Sequence, residues 1–268
     1  MTSTHPVFAR LRAAANGHPL VVSHRGDSVN HPENTLAAFR AATALGVAMQ
    51  EFDVQATRDG VLVCLHDESL DRTTDAARRL GPGALVAQTT AAELRELDAG
   101  SWRGPDHAGQ RVPTLAEALA VMLPQCVPLI ERKAGNVAAL LAALSPALRS
   151  QCIVQAFDWP FVADLHAAAR DMALAVLGPT AEFPRVDASA IAAALACGAG
   201  MLHWHDRSLS RREVQDAHGA GLLVCTYTTD DELGWAGGAA LGFDAMCTNR
   251  PQDARQWAAA CRGSQRSG

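Results

Sequence analysis

Short apolar runs alternate with longer Ala-rich helical stretches along most of the chain. Nine such runs are present: "LVVSH", "MQEFDV", "VLVCLH", "PLIERK", "CIVQAF", "LAVLG", "MLHWH", "LLVCTY" and "AMCTN". The stretches between them carry helix-start signals, namely Asn34 before Leu36, Thr114-x-x-Glu117, Ser210-x-x-Glu213, Thr229-x-x-Glu232, and Asp158 before Pro160. Repeated strand and helix units predict an α/β fold with a parallel sheet, and there are enough of them to close a TIM (β/α)8 barrel.

The second run continues as "EFDVQAT", and only three residues, Arg58, Asp59 and Gly60, separate it from the third run, "VLVCLHD". That connection is too short for a helical crossover, and Asp-Gly is a strong signal for a two-residue hairpin turn. We therefore expect an antiparallel hairpin that extends beyond the barrel mouth, which leaves eight runs for the barrel. With Asp59 and Gly60 as the turn, Asp53 would lie opposite His66. The alternative is that both runs are barrel strands with an unusually tight connection.

Residues 69–113 form the longest segment without clear strand and helix alternation, although a short helix is predicted around Ala91 to Glu96. A long ordered insertion at the end of a strand usually has a function. In a barrel it would lie over the C-terminal mouth. No internal repeat or linker indicates a second domain, so we expect one domain over residues 1–268, with residues 1–17 and 262–268 peripheral.

Composition narrows the possible classes of protein. Hydrophobic residues make up 49% of the chain, which is enough for a sizeable core, and the net charge is −5. Such a charge gives no global basic field for nucleic acid or an anionic membrane, so recognition of phosphate must be local.

The N-terminus lacks the apolar block of a signal peptide, and no stretch is long enough for stable membrane insertion. The seven cysteines are scattered without a C-x-x-C pair, which favours a reduced, cytoplasmic location, and the oligomeric state is left open.

Four polar pairs with no evident structural role stand at the ends of apolar runs. They are His24-Arg25, Glu51-x-Asp53, His66-Asp67 and Glu131-x-Lys133. Catalytic groups collect at the C-terminal ends of barrel strands, and residues two apart on a strand share a face. These pairs are therefore candidates for one common site.

The three carboxylates of Glu51, Asp53 and Glu131 are expected to form a metal site. A site made only of hard oxygen ligands suits Mg²⁺ or Ca²⁺ better than zinc. Three like charges repel strongly in a medium of low dielectric constant, and one divalent cation would relieve that repulsion.

The basic side chains next to these carboxylates suggest an anionic substrate that also touches the metal. Arg25 and Lys133 would supply positive charge to a phosphate. His24 and His66 can serve as general base and general acid near neutral pH. Asn34 has two possible roles, as a helix cap and as a ligand of the metal or substrate.

The chain resembles the glycerophosphodiester phosphodiesterase family. The matching pieces are, in order, "SHRG", "PENT", "EFDVQATRDG", "CLHDESLDRTT", "LDAGSW", "VPTLAEAL", "IERK" and "FDAMCTNRP", from residue 23 to about residue 251. The resemblance implies a TIM barrel with an insertion over its mouth, a divalent-metal site, and hydrolysis of a phosphodiester by two histidines. Carried over by motif, it implies the acid/base pair His24 and His66, the metal ligands Glu51, Asp53 and Glu131, and the phosphate contacts Arg25 and Lys133.

Three segments depart from the usual pattern of that family. Members often have a Trp-Thr-Val-Asn-like segment where this chain has Tyr227-Thr228-Thr229-Asp230. In the family, Ser often precedes Phe where this chain has "QAFD", and Thr-Asp-x-Pro is common where it has "TNRP". Phe157 and Tyr227 are expected to line the substrate pocket, with His203 and Asn34 as further candidates. These departures bear on substrate preference more than on the class of reaction.

The expected reaction is hydrolysis of a small-molecule glycerophosphodiester to sn-glycerol 3-phosphate and an alcohol, with one divalent cation, Mg²⁺ or Ca²⁺, as cofactor. The nucleophile is either water or the glycerol 2-hydroxyl, and either histidine could be the acid. One alternative is a phospholipase that acts on lysophospholipid or phosphoinositide head groups, which predicts an exposed apolar rim in the insertion. An alternative of another class is a barrel that binds phosphodiesters without turnover.

Overall fold

Eight parallel strands close into a barrel at the centre of the molecule. The computed structural model describes residues 5–15 and 17–264. The strands are β1 (Leu20–His24), β2 (Met49–Ala56), β3 (Leu62–Cys64), β4 (Val127–Arg132), β5 (Ile153–Ala156), β6 (Ala173–Gly178), β7 (Ala199–His205), β8 (Leu223–Tyr227) and β9 (Ala245–Thr248). The order is β1-β9-β8-β7-β6-β5-β4-β2, and β1 also pairs with β2. The predicted TIM barrel is confirmed.

Helices lie between most of the strands along the chain, and most of them surround the barrel. They are α1 (Pro6–Ala15), α2 (Leu36–Ala44), α3 (Ala76–Arg79), α4 (Ala91–Arg95), α5 (Leu115–Met122), α6 (Val137–Ala143), α7 (Pro146–Arg149), α8 (Trp159–Ala168), α9 (Ala188–Ala196), α10 (Arg211–Gly219), α11 (Glu232–Leu241) and α12 (Pro251–Ser264). In the described part of the chain, none of them has both the length and the apolar character needed to cross a membrane.

Two layers of apolar side chains form the core. Outward-facing strand residues such as Phe52 and Ile130 pack against the helices. Inward-facing residues such as Val22, Met49 and Leu129 fill the barrel interior. Because side chains alternate along a strand, each of the eight barrel strands contributes to both layers.

Helix α1 closes the bottom of the barrel, which differs from the expectation that residues 1–17 are peripheral. Its residues Val7, Phe8 and Leu11 are buried in the cluster that fills the barrel interior. A Cβ built at Gly200 would lie 2.4 Å from the Phe8 ring, so the helix packs closely on β7. The apolar end of the barrel must be covered, and this helix removes it from water. At the other terminus, residues 265–268 of the predicted peripheral tail lie outside the described residues.

The hairpin is confirmed, but its predicted register is wrong by one residue. β3 pairs antiparallel with β2, with Val54 opposite Cys64 and Gln55 opposite Val63. The turn is therefore a loop of three residues, 58–60, in which Gly60 takes the left-handed conformation at φ 81°. Asp53 consequently lies opposite position 65, not His66, and the chain leaves strand geometry before His66.

The insertion, residues 69–113, forms an apolar cluster with Val63 and Leu65 of the hairpin, and its own members include Leu70, Val86, Leu94 and Leu97. Its helix α4 matches the short helix expected around Ala91. The insertion contacts the loop that follows β1, where the Arg103 guanidinium donates to the carbonyl of Val29.

Most of the predicted helix starts are confirmed. Two are wrong: α2 is capped by Thr35 instead of Asn34, and α11 by Asp231 instead of Thr229. The side chain of Asp231 accepts a hydrogen bond from Gly234 N, because the helix begins two residues later than the Thr229 capping box requires. The confirmed caps are Thr114, Ser210 and Asp158.

Candidate active site

Strand alternation brings the three predicted acidic residues into the barrel interior. Phe52 and Val54 of β2 pack outward against the helices, so Glu51 and Asp53 point inward. In the parallel pairing of β2 with β4, Asp53 lies beside Glu131. One oxygen atom from each of the three carboxylates lies within 4.8 Å of the other two. The structure therefore brings the predicted cluster together.

The chemistry of this cluster fits a hard divalent cation. All three carboxylates are buried. Glu51 Oε1 receives no hydrogen bond from the described residues, and Asp53 Oδ1 and Glu131 Oε1 share Nζ of Lys133 as their ion-pair partner. Burial raises the pKa of Glu51 well above its usual range, and the charges of Asp53 and Glu131 raise it further. Burial, with the charge of Asp53, raises the pKa of Glu131 to about 7. A bound cation would favour the ionised form of all three groups.

Lys133 and Arg25 lie next to the carboxylates. Nζ of Lys133 forms an ion pair with Glu131 and lies 3.5 Å from Asp53 Oδ1. Nε of Arg25 lies 3.2 Å from Asp53 Oδ2. Burial lowers the pKa of Lys133, but the charges of Glu131 and Asp53 outweigh it and the net shift is upward. Both cations are thus held at the edge of the acidic cluster, and their contact with phosphate stays a prediction.

Asn34 holds Asp53 and does not cap helix α2. Its Nδ2 donates to Asp53 Oδ2 at 2.9 Å, and its Oδ1 accepts from the Asp53 backbone N–H at 3.3 Å. The residue has φ 56°, a left-handed conformation that Asn tolerates better than most residues. Because Asn34 is buried and its amide is engaged on both sides, it supports Asp53, and its contact with the metal or the substrate stays a prediction.

His24 stands at the end of β1 and is fixed from the last strand of the barrel. Its Nδ1 lies 2.7 Å from Asn249 Oδ1, while Asn249 Nδ2 donates to Asp230 Oδ2 at 2.7 Å. Since the amide oxygen can only accept, Nδ1 of His24 has the hydrogen, and Nε2 lies 3.8 Å from Glu51 Oε2. Burial lowers the pKa of His24, and the charge of Arg25 lowers it further. Sequence reasoning missed Asn249 and Asp230, although both follow strand ends as the other site residues do.

His66 lies in a bend after β3 that is held by Gln55. The Gln55 side chain is buried, and its Nε2 donates to the backbone carbonyls of Leu65, His66 and Asp67 at 3.0, 3.1 and 2.6 Å. Nδ1 of His66 lies 2.6 Å from Asp67 Oδ1, so the hydrogen is on Nδ1 and Nε2 is available. Gln55 was missed too, yet its position two residues after Asp53 is the signal that could have found it.

Aromatic side chains form a wall beside the acidic cluster. The exposed ring of Phe157 lies 6.2 Å from the ring of Tyr227 and 5.9 Å from Nζ of Lys133. His203 lies 5.2 Å from Tyr227 and is buried, with Nδ1 2.8 Å from Gln155 Oε1. Burial lowers the pKa of His203 to about 3. Phe157 thus lies beside Lys133, His203 is buried against the Tyr227 ring, and the lining of a substrate pocket by these residues stays a prediction.

Known proteins are similar to this chain in sequence and in fold. Residues 24–253 match the model of the glycerophosphoryl diester phosphodiesterase family. A glycerophosphodiester phosphodiesterase of Caldanaerobacter subterraneus is 50% identical over 103 residues, which are 38% of this chain and 40% of that protein. One of Bacillus subtilis is 29% identical over 87% of this chain and 84% of its own length. A solved phosphodiesterase of Oleispira antarctica, in complex with the product sn-glycerol-3-phosphate, has a TM-score of 0.80 and 27% identity over 91% of this chain and 98% of its own.

Proposed function

The chain belongs to the glycerophosphoryl diester phosphodiesterase family, and on that basis we propose that it hydrolyses glycerophosphodiesters to sn-glycerol 3-phosphate and an alcohol in a metal-dependent reaction. The observation that supports this most directly is the approach of Glu51, Asp53 and Glu131 to within 4.8 Å at the end of the barrel where His24 stands. The product named for the Oleispira antarctica phosphodiesterase supports the same substrate class.

The three carboxylates would hold one divalent cation, Mg²⁺ or Ca²⁺. Such a cation supplies Lewis-acid polarisation of a phosphate oxygen. Arg25 and Lys133 would bind the remaining phosphoryl oxygens, because both place positive charge at the edge of the acidic cluster.

The two histidines would move the protons. In each ring Nδ1 is held by an acceptor, Asn249 for His24 and Asp67 for His66, so Nε2 is the atom that faces the reaction. One Nε2 takes a proton from the nucleophile; the other histidine enters the reaction as an imidazolium, with hydrogens on both ring nitrogens, and its Nε2 delivers a proton to the leaving alkoxide. Phe157 and Tyr227 would face the alcohol or the glycerol of the substrate.

The test measures release of glycerol 3-phosphate from glycerophosphocholine with Mg²⁺, Ca²⁺ or Mn²⁺, with and without a chelator. Lysophosphatidylcholine serves as the parallel substrate. We expect activity that the chelator abolishes and added metal restores, and a loss of about 10²-fold or more in kcat for His24→Ala and for His66→Ala. Near wild-type turnover in both variants would overturn the proposed mechanism. Preference for lysophosphatidylcholine would assign the chain to phospholipase chemistry instead.

His218→Ala is the matched control for His66→Ala. Each histidine pairs with an aspartate, His66 with Asp67 and His218 with Asp244, and their side chains are similarly exposed at 32% and 38%. Because Asp244 immediately precedes β9, His218 lies at the opposite end of the barrel. We expect His218→Ala to keep wild-type kcat.

A further inference from the structure

Arg72 joins two carboxylates from different parts of the chain. Its Nε donates to Asp67 Oδ2 at 2.5 Å, while Nη1 and Nη2 donate to the two oxygens of Glu33 at 2.9 and 2.8 Å. Arg72 belongs to the insertion, whereas Glu33 belongs to the loop between β1 and α2. A guanidinium fork engaged by two carboxylates is fixed in orientation even though the Arg72 side chain is 44% exposed.

Asp67 connects Arg72 to His66. Asp67 Oδ1 accepts from His66 Nδ1 at 2.6 Å and from Arg72 Nη2 at 3.1 Å. The hydrogen bonds from Arg72 hold the pKa of Asp67 well below its usual range. Asp67 is therefore a carboxylate that can only accept, and it keeps the hydrogen of His66 on Nδ1.

Glu33 connects Arg72, through Arg25, to the acidic cluster. Glu33 Oε1 also accepts from Arg25 Nη1 at 2.8 Å, and Arg25 Nε lies 3.2 Å from Asp53 Oδ2. Glu33 thus holds two guanidinium groups at once. Within this set the charges of Arg72 and Arg25 are offset by Glu33, Asp67 and Asp53, so Arg72 brings no excess positive charge to a substrate phosphate.

We propose that Arg72 is a positioning residue, which fixes the tautomer and orientation of His66 through Asp67 and couples the insertion to Arg25 through Glu33. The inference rests on the proposed function, which gives His66 its part in proton transfer. Without the guanidinium, Glu33 and Asp67 repel each other and Asp67 turns away. His66 then populates both tautomers, and in one of them Nε2 has the wrong protonation, which is the known consequence of losing the orienting carboxylate of a catalytic histidine.

Arg72→Gln tests the inference, with Arg79→Gln as its matched control. Arg79 lies in the same insertion, pairs with Asp75 at 2.8 Å, and has a side chain that is 46% exposed. The measurements are kcat and KM for glycerophosphocholine, together with the ¹⁵N chemical shifts of the His66 ring, assigned by comparison with His66→Ala.

We expect Arg72→Gln to lose about 10- to 100-fold in kcat, as other residues that support a catalytic group do, with little change in KM. The ¹⁵N shifts should move from a single Nδ1–H tautomer to a mixture. Arg79→Gln should leave both readouts unchanged. Arg72→Lys keeps the charge but not the fork, so it should fall between wild type and Arg72→Gln.

Wild-type kcat and unchanged His66 shifts in Arg72→Gln overturn the inference, as does an equal loss in Arg79→Gln. Calorimetric titration of Ca²⁺ reports on the acidic cluster and shows whether a variant is folded. If Arg72→Gln does not fold, the ring shifts and kcat of Arg72→Lys decide. If the wild-type protein hydrolyses no diester, the proposed function fails, and the ring shifts still decide whether Arg72 positions His66.

Discussion

Nδ1 of His24 lies 2.7 Å from Oδ1 of Asn249, a residue 225 positions away in the chain. The contact exists because β1 pairs with β9, where Ser23 is the register partner of Thr248. Closure of the barrel thus positions the Asn249 amide, which accepts a hydrogen bond from the His24 ring. Asp230 in turn accepts a hydrogen bond from Asn249 Nδ2.

Replacement of Asn249 by Ala removes the acceptor of His24 Nδ1. The ring then loses its fixed tautomer, and we expect kcat to fall by about 10- to 100-fold. Steady-state kinetics with glycerophosphocholine measures this. The control is Asn136→Ala, in which an N-cap asparagine of α6 is lost. It should cost about 1 kcal/mol of stability and leave kcat unchanged. An unaltered kcat in Asn249→Ala would show that the contact is not needed for catalysis.

Glu131 should destabilise the metal-free protein as the pH rises. Its folded-state pKa of about 7 lies above the usual value of 4.5, so its stabilising effect is complete below pH 4.5 and is lost as the pH rises through about 7. Urea unfolding with chelator should find Glu131→Gln more stable than wild type at pH 8, by on the order of 1 to 3 kcal/mol, and no more stable at pH 4.5. Calcium affinity should fall in the same variant. Equal stabilities at both pH values would contradict the repulsion inferred within the acidic cluster.

Glu33 should show the opposite dependence on pH. Burial raises its pKa, but the hydrogen bonds from Arg72 and the charges of Arg72 and Arg25 bring it from 4.5 down to about 2. Its contribution is therefore present above pH 4.5 and is lost as the pH falls towards 2. Glu33→Gln should cost about 2 kcal/mol at pH 7, with a difference from wild type that shrinks steadily in acid. A difference that stays constant from pH 7 to pH 3 would count against these ion pairs.

Gly178 should not tolerate a side chain. A Cβ at this position would lie 2.1 to 2.5 Å from ring atoms of Trp204, which is fully buried. Gly178→Ala should destabilise the protein by about 3 kcal/mol or more in urea unfolding. Gly237→Ala is the control, because a Cβ there meets no atom within 4 Å and the residue lies inside α11. That variant should be more stable than wild type by about 0.5 to 1 kcal/mol.

Alternation along single strands was enough to predict the centre of the site. Phe52 between Glu51 and Asp53 predicts one apolar and one acidic face, and the structure buries Phe52 outward and both carboxylates inward. The nine apolar runs likewise predicted the strands, including the one that stands outside the barrel. Such patterns are local, because a two-residue period determines which face a side chain takes within its own strand.

Contacts between distant segments were decided only by the tertiary structure. Four such features depend on how strands and loops meet around the closed barrel. They are the hairpin register, the hydrogen bonds between Asn34 and Asp53, the contact of Asn249 with His24, and the ion pairs of Arg72 with Asp67 and Glu33. A strand pattern gives the direction of each side chain but not its partner. The partner follows from register and closure, which are set by packing of the whole chain.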